Sequence, residues 1–288
     1  MNAKATGDVS GRDDPRQCDC KDPAAGETIA STNALRNYAR VWKQKPVLRL
    51  IYDDFYRRLA AETSPGLTIE IGGGIGNLKE RLAQVVATDI QFATWLDCVA
   101  DAQHLPFSAN CASNIIMVDV LHHIEFPAVF FREAERVLRP GGRIIMIEPA
   151  ITWGSTLFYR LFHNEPVRSS ADILTEGSTS TGRDPYASNQ AIPTILVTRD
   201  RERFHAQFPH LAIKRVDWFS FASYPLSGGF RRWSLIGSGL GRRLLRIERA
   251  IEPFLGRAMA FRMMIAIEKS PTRRPQSTGE DDGRDSCA

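Results

Sequence analysis

The chain has 288 residues, 43% of them hydrophobic and 24% charged, which suits one soluble domain with additions or two small ones. Its 37 basic and 33 acidic residues leave a net charge of +4, too mild to argue for a nucleic-acid partner. No apolar run approaches the ~18 residues of a membrane span, and the first stretch lacks the apolar core of a targeting peptide. Scattered cysteines give no disulfide framework, so a reducing cytoplasm is the expected compartment. Cys18-Asp19-Cys20 lacks a matching pair, so no metal site is expected.

Residues 1–32 and 271–288 are polar and rich in Asp, Gly, Arg, Ser and Pro, and are expected to be disordered tails around a domain of residues 33–270. Over 33–62, Leu35, Tyr38, Val41 and Trp42, then Leu48, Ile51, Phe55 and Leu59, repeat at helical spacing, with Pro46 between two helices. A turn at Ser64-Pro65-Gly66 leads into a strand over 67–72, a helix over 75–83 and a strand over 85–90. Short and long apolar strands follow at 98–101 and 114–119. A helix over 127–138 turns Val129, Phe130, Ala134 and Val137 inward, and a strand follows at 143–147. Continuous apolar strands alternating with helices mean a parallel sheet covered on both faces, an α/β doubly wound, Rossmann-like fold.

Residues 149–198 break the alternation with aromatics among Gly, Ser and polar residues. An insertion after the fifth strand sits at the sheet's carboxyl edge and can close as a cap, as can the helical stretches 33–62 and 231–257. A helix over 199–208 and strands at 211–218 and 261–267 complete the pattern. In 231–257 seven arginines face Glu248 and Glu252, while Leu240, Leu244, Ile247, Ile251 and Phe254 share one helical face. Such a helix packs on the domain with a solvated basic face, or makes peripheral contact with the inner face of an anionic membrane.

The richest segment is Glu70-Ile71-Gly72-Gly73-Gly74-Ile75-Gly76, a strand running into a glycine turn that lets a ligand approach the backbone. The dinucleotide spacing G-x-G-x-x-G is not met: starts at Gly72 or Gly74 put Asn77 or Lys79 at the third glycine, and a start at Gly73 meets Ile75. That counts against a nicotinamide oxidoreductase. Asp89, at the end of the second strand, suits ribose hydroxyls in either cofactor class.

The glycine loop, Asp89, Asp101-Ala102-Gln103-His104-Leu105-Pro106-Phe107, Val118-Asp119-Val120-Leu121-His122-His123-Ile124 and Val137-Leu138-Arg139-Pro140-Gly141-Gly142 together resemble a class I S-adenosylmethionine-dependent methyltransferase, of the ubiquinone/menaquinone-type small-molecule branch. The resemblance covers about residues 66–148. It implies a seven-stranded sheet with a reversed final hairpin and S-adenosylmethionine across the carboxyl ends of strands one to four. Carried over by position, Glu70 lies near the methionine amine, and Gly72, Gly73, Gly74 and Gly76 line methionine and ribose. Asp89 and Ile90 meet the ribose end, Asp101 and Ala102 the adenine, and Asp119 and Val120 the amine or sulfonium. Thr88 replaces the more familiar glycine before the acid, and the short stretch from Asp89 to Asp101 implies a stunted second helix.

Methyl transfer needs mostly positioning. A hydroxyl acceptor must lose a proton, and His122, His123 or His163 could take it; Glu148 and Glu165 are further candidates. The acceptor, a small molecule or a lipid- or glycan-linked one, is expected against Trp42, Phe55, Tyr56, Trp153, Tyr159, Tyr186, Asn189 and Gln190, some of which serve packing instead. The alternative is a non-catalytic cofactor-binding module partnering another biosynthetic protein.

Overall fold

Seven strands form a single sheet in the order β3-β2-β1-β4-β5-β7-β6 in the computed structural model, which describes residues 28–162, 166–178 and 182–271. The strands are β1 (Thr68–Ile71), β2 (Val85–Asp89), β3 (Cys98–Val99), β4 (Ala112–Val118), β5 (Leu138–Pro149), β6 (Leu211–Phe219) and β7 (Arg262–Lys269). β1 to β5 pair in parallel, and β7 runs antiparallel between β5 and β6. This is the reversed final hairpin that the resemblance implies.

The helices are α1 (Thr28–Gln44), α2 (Pro46–Glu62), α3 (Pro127–Val137), α4 (Trp153–Phe162), α5 (Ile192–Val197), α6 (Arg201–Gln207), α7 (Ser223–Ser227) and α8 (Ser238–Met259). Pro46 opens α2 at its first turn, where a missing N–H costs nothing. Alternate residues of the buried strands feed two cores. Ile115, Met117, Ile144, Met146, Ile265 and Ile267 meet α3, α5 and α6, while Ile116, Ile145, Ile147 and Met264 meet α2. In α3, Val129 is only half-buried, and Phe131 joins Phe130, Ala134 and Val137 inside. Burying each phenylalanine contributes about 1.5–3 kcal/mol.

Two local expectations fail for packing reasons. The helix expected over 75–83 is a single 3-10 turn, Asn77–Glu80. Leu78 is buried in the core that α2 builds on this face, but Arg81, Ala83 and Gln84 are exposed, so only one turn has an apolar surface to dock on. In α8 the apolar face expected to pack on the domain does so only in part: Leu240, Ile247 and Phe254 are 50%, 56% and 85% exposed, whereas Leu244 and Ile251 are half-buried, Leu244 against the α2 core. The inward face is Gly241, Leu245, Glu248 and Gly256. The glycines bring α8 close, since a Cβ on Gly256 would sit 2.6 Å from the Trp218 carbonyl oxygen. The second helix is stunted as expected, with turns alone between β2 and β3. Among the described residues no helix is long and apolar enough to cross a membrane.

Candidate active site

The parallel order puts the carboxyl ends of β3, β2, β1 and β4 side by side, and with them Asp101, Asp89, Glu70 and Asp119. The glycine turn after β1 is tightly tied. Gly73 N–H donates to the Thr88 carbonyl at 2.7 Å, and Trp95 Nε1 donates to the Gly74 carbonyl at 2.9 Å. Gly72, Gly74 and Gly76 all have positive φ, of 67°, 52° and 74°. A Cβ on Gly72 would lie 2.3 Å from Cγ2 of Val120, so β4's exit loop presses on the turn. With only a 3-10 turn after the loop, the cradle is turn backbone rather than a helix N-terminus.

Asp89 is buried and accepts from Gly74 N–H at 3.0 Å and Gln91 N–H at 2.9 Å, one on each oxygen. Burial pushes its carboxyl up, and those N–H groups oppose the shift. Glu70 is buried, and its Oε2 has no hydrogen-bond partner. Burial first, then the Asp89 charge, raises its carboxyl to about 8. A buried acid with an open oxygen fits an ammonium group brought by a ligand. Asp101 is less enclosed: its Oδ1 accepts from Gln103 N–H at 2.8 Å, and Gln103 Oε1 accepts from Phe126 N–H at 3.0 Å. Ala102 is buried, and Ile90 is 51% exposed beside Asp89.

At the end of β4 the chain turns sharply. Asp119 has φ of 59°, a conformation that non-glycine residues rarely hold without support. The support is Glu148 of β5. Its Oε1 accepts from Val120 N–H at 2.9 Å and Leu121 N–H at 2.7 Å, and its Oε2 pairs with His122 Nδ1 at 2.7 Å. Burial pushes the Glu148 carboxyl up, but the His122 hydrogen bond and charge and the two N–H donors outweigh it and hold it low. An acceptor-only carboxylate makes Nδ1 the donor and leaves Nε2 with the free lone pair. The His123 ring lies 4.2 Å from that of His122, and its Nδ1 meets the Ala187 carbonyl at 3.3 Å. Asp119 pairs with Arg262, whose guanidinium lies 4.1 Å over the Tyr224 ring. Burial raises the Asp119 carboxyl, with Arg262 opposing.

The decisive match covers this edge: residues 69–146 fit the family model described as "Methyltransferase domain". The chain carries a class I S-adenosylmethionine-dependent methyltransferase domain. No curated protein matches the sequence significantly. Among solved structures, the methyltransferase is similar to an S-adenosylmethionine-dependent methyltransferase of Thermotoga maritima. The two are 14% identical over 82% of this chain and 98% of that one, with a TM-score of 0.48. It is also similar to the geranyl diphosphate C-methyltransferase of Streptomyces coelicolor, at 13% identity over 77% and 80% of the two chains and a TM-score of 0.42.

The acceptor candidates of the methyltransferase divide. Tyr186 of the insertion reaches Gln91 Oε1 at 3.4 Å and also bonds Tyr38, so it stands over the β2 edge. Tyr56 and Phe55 are buried in the α2 core. Trp42 is half-buried, edge-on to Tyr52 at 5.6 Å. Asn189 is spent on backbone, bonding Arg168 N–H at 2.8 Å and the Arg168 carbonyl at 3.1 Å, and buried Gln190 follows it. Trp153 is 78% exposed on α4. His163 and Glu165, the side chain of Tyr159, and both tails apart from residues 28–32 and Pro271 lie outside the described residues. Sequence reasoning missed Arg262 and Trp95. Arg262 stands 143 residues from Asp119 and carries no local signal.

Proposed function

We propose that the methyltransferase acts on a hydroxyl group of a small or lipid-linked acceptor, with His122 as the base. The observation that carries this is the buried His122–Glu148 pair between the ends of β4 and β5. When bound, S-adenosylmethionine supplies an electrophilic methyl group on a cationic sulfur. Glu70 receives the methionine ammonium on its open oxygen. Asp89, with one backbone N–H on each oxygen, keeps lone pairs for two ribose hydroxyls. Ile90, Asp101 and Ala102 flank the adenine, and the backbone from Gly72 to Gly76 with Val120 lines the methionine arm.

The acceptor hydroxyl gives its proton to Nε2 of His122 as its oxygen takes the methyl group. Glu148 fixes the tautomer and stabilises the imidazolium that results. The insertion shields the pair: Asn189 N–H donates to the His122 carbonyl at 2.8 Å, and His123 rests on Ala187. Exclusion of water there strengthens the electrostatic coupling.

His122→Gln tests the assignment. It should lower kcat by about 10²- to 10⁴-fold while binding of S-adenosylhomocysteine stays unchanged. Glu148→Gln should lower kcat, because the imidazolium loses the carboxylate that orients and stabilises it. A His122→Gln enzyme with unchanged kcat, or a labelled product methylated on carbon or nitrogen, would contradict the proposal.

A further inference from the structure

α8 is mounted with its apolar stripe facing out. Leu240, Ile247 and Phe254 recur every seven residues and so share one face. Leu245, with Leu244 beside it, seats the helix on the α2 core, and both of its acids also bond inward. Glu248 accepts from Ala222 N–H at 2.7 Å, Ser223 N–H at 2.6 Å and Ser223 Oγ at 2.7 Å. Glu252 takes both Arg58 nitrogens, at 3.1 Å and 2.6 Å. Both acids of the helix are thereby turned inward. The charges left beside the outward stripe are Arg243, Arg246 and Arg257, all exposed. α4 abuts the C-terminal turn of α8, where a Cβ on Gly154 would lie 2.9 Å from Met259 Sδ. It adds exposed Trp153 and Leu157, 78% and 58% accessible.

We propose that α8 and the exposed side of α4 form a docking face for an anionic lipid bilayer. Charge complementarity selects this occupant: an apolar stripe edged only by arginines matches acyl chains under anionic headgroups. An exposed tryptophan beside it suits the interfacial zone. A second copy of the chain would bring the same arginines against one another. The placement gives docking a consequence. α8 ends at Met259, three residues before Arg262, which pairs with Asp119 at the carboxyl edge of the sheet. Docking therefore brings that edge towards the lipid surface.

The test is cosedimentation of the full chain with vesicles of phosphatidylcholine alone and of equal parts phosphatidylcholine and phosphatidylglycerol. Binding is expected to the anionic vesicles only, and to weaken as salt rises from about 0.1 to about 0.5 M. Phe254→Ser should reduce partitioning about tenfold, and Arg243→Gln with Arg246→Gln should reduce it on anionic vesicles. These side chains are exposed, so melting temperatures should hold. No binding to anionic vesicles, or binding that ignores Phe254→Ser, would overturn the proposal. A concentration-dependent dimer removed by Phe254→Ser, without vesicle binding, would assign the face to a second copy instead.

Discussion

Replacing Glu70 by glutamine tests the cofactor cradle at its most unusual group. In the free protein the Glu70 carboxyl is raised to about 8, so near neutral pH most molecules hold it protonated. An ammonium ligand needs it ionised, and binding must first release that proton. If the ionised carboxyl and the protonated amine are the competent pair, affinity should rise about 25-fold from pH 6 to pH 8. Above about pH 8 the ligand's own amino group loses its proton, so the profile should fall again and form a bell. Calorimetric titration with S-adenosylhomocysteine, which carries the same amino group, measures this directly between pH 6 and pH 9. In Glu70→Gln the rising limb should vanish, and affinity at pH 8 should drop by about tenfold, the value of one charge-assisted hydrogen bond. A wild-type affinity that is flat from pH 6 to pH 8, or a rising limb that survives in Glu70→Gln, would refute the reasoning.

The same group sets a pH dependence of stability in the ligand-free protein. Its folded pKa of about 8 lies above the ordinary 4.5, so its contribution is complete below about pH 4.5 and is lost as pH rises through 8. The melting temperature should fall more over that range in the wild type than in Glu70→Gln. Asp89→Ala should weaken cofactor binding by about 1–3 kcal/mol by calorimetry, since it removes the acceptor that holds Gly74 and Gln91 together with the proposed ribose contacts. Gly72→Ala should cost about 1–3 kcal/mol in denaturant unfolding, because its φ is 67° and its Cβ would strike Val120. Adding Val120→Ala should recover only the steric part, leaving the backbone strain.

The strands were legible because runs such as Ile115-Ile116-Met117 are apolar on both faces, which only a covered parallel sheet requires. The glycine loop was legible from spacing and Asp89 from its place at a strand end, while Asp101 and Asp119 came from the family resemblance, which did not reveal the Asp119–Arg262 pair. The short turn at Asn77–Glu80 was not, because a local helical pattern does not reveal that Arg81, Ala83 and Gln84 have no apolar face to dock on. Tyr56 and Asn189 read as acceptor contacts by residue type, yet one is core and the other ties two backbone segments together. Arg262 was invisible because its partner is distant in sequence. In α8 the periodicity grouped Leu240, Leu244, Ile247, Ile251 and Phe254, but it did not reveal that only Leu244 and Ile251 turn partly inward while the other three stay exposed.

The central claim is methyl transfer at the edge formed by Glu70, Asp89 and the His122–Glu148 pair. Incubating the protein with cofactor labelled in its methyl group and with lipid and small-molecule fractions, then reading products by mass spectrometry, tests it most directly. A labelled methyl ether or ester is expected with the wild type and far less with His122→Gln. Tight cofactor binding with no labelled product across those fractions would contradict it.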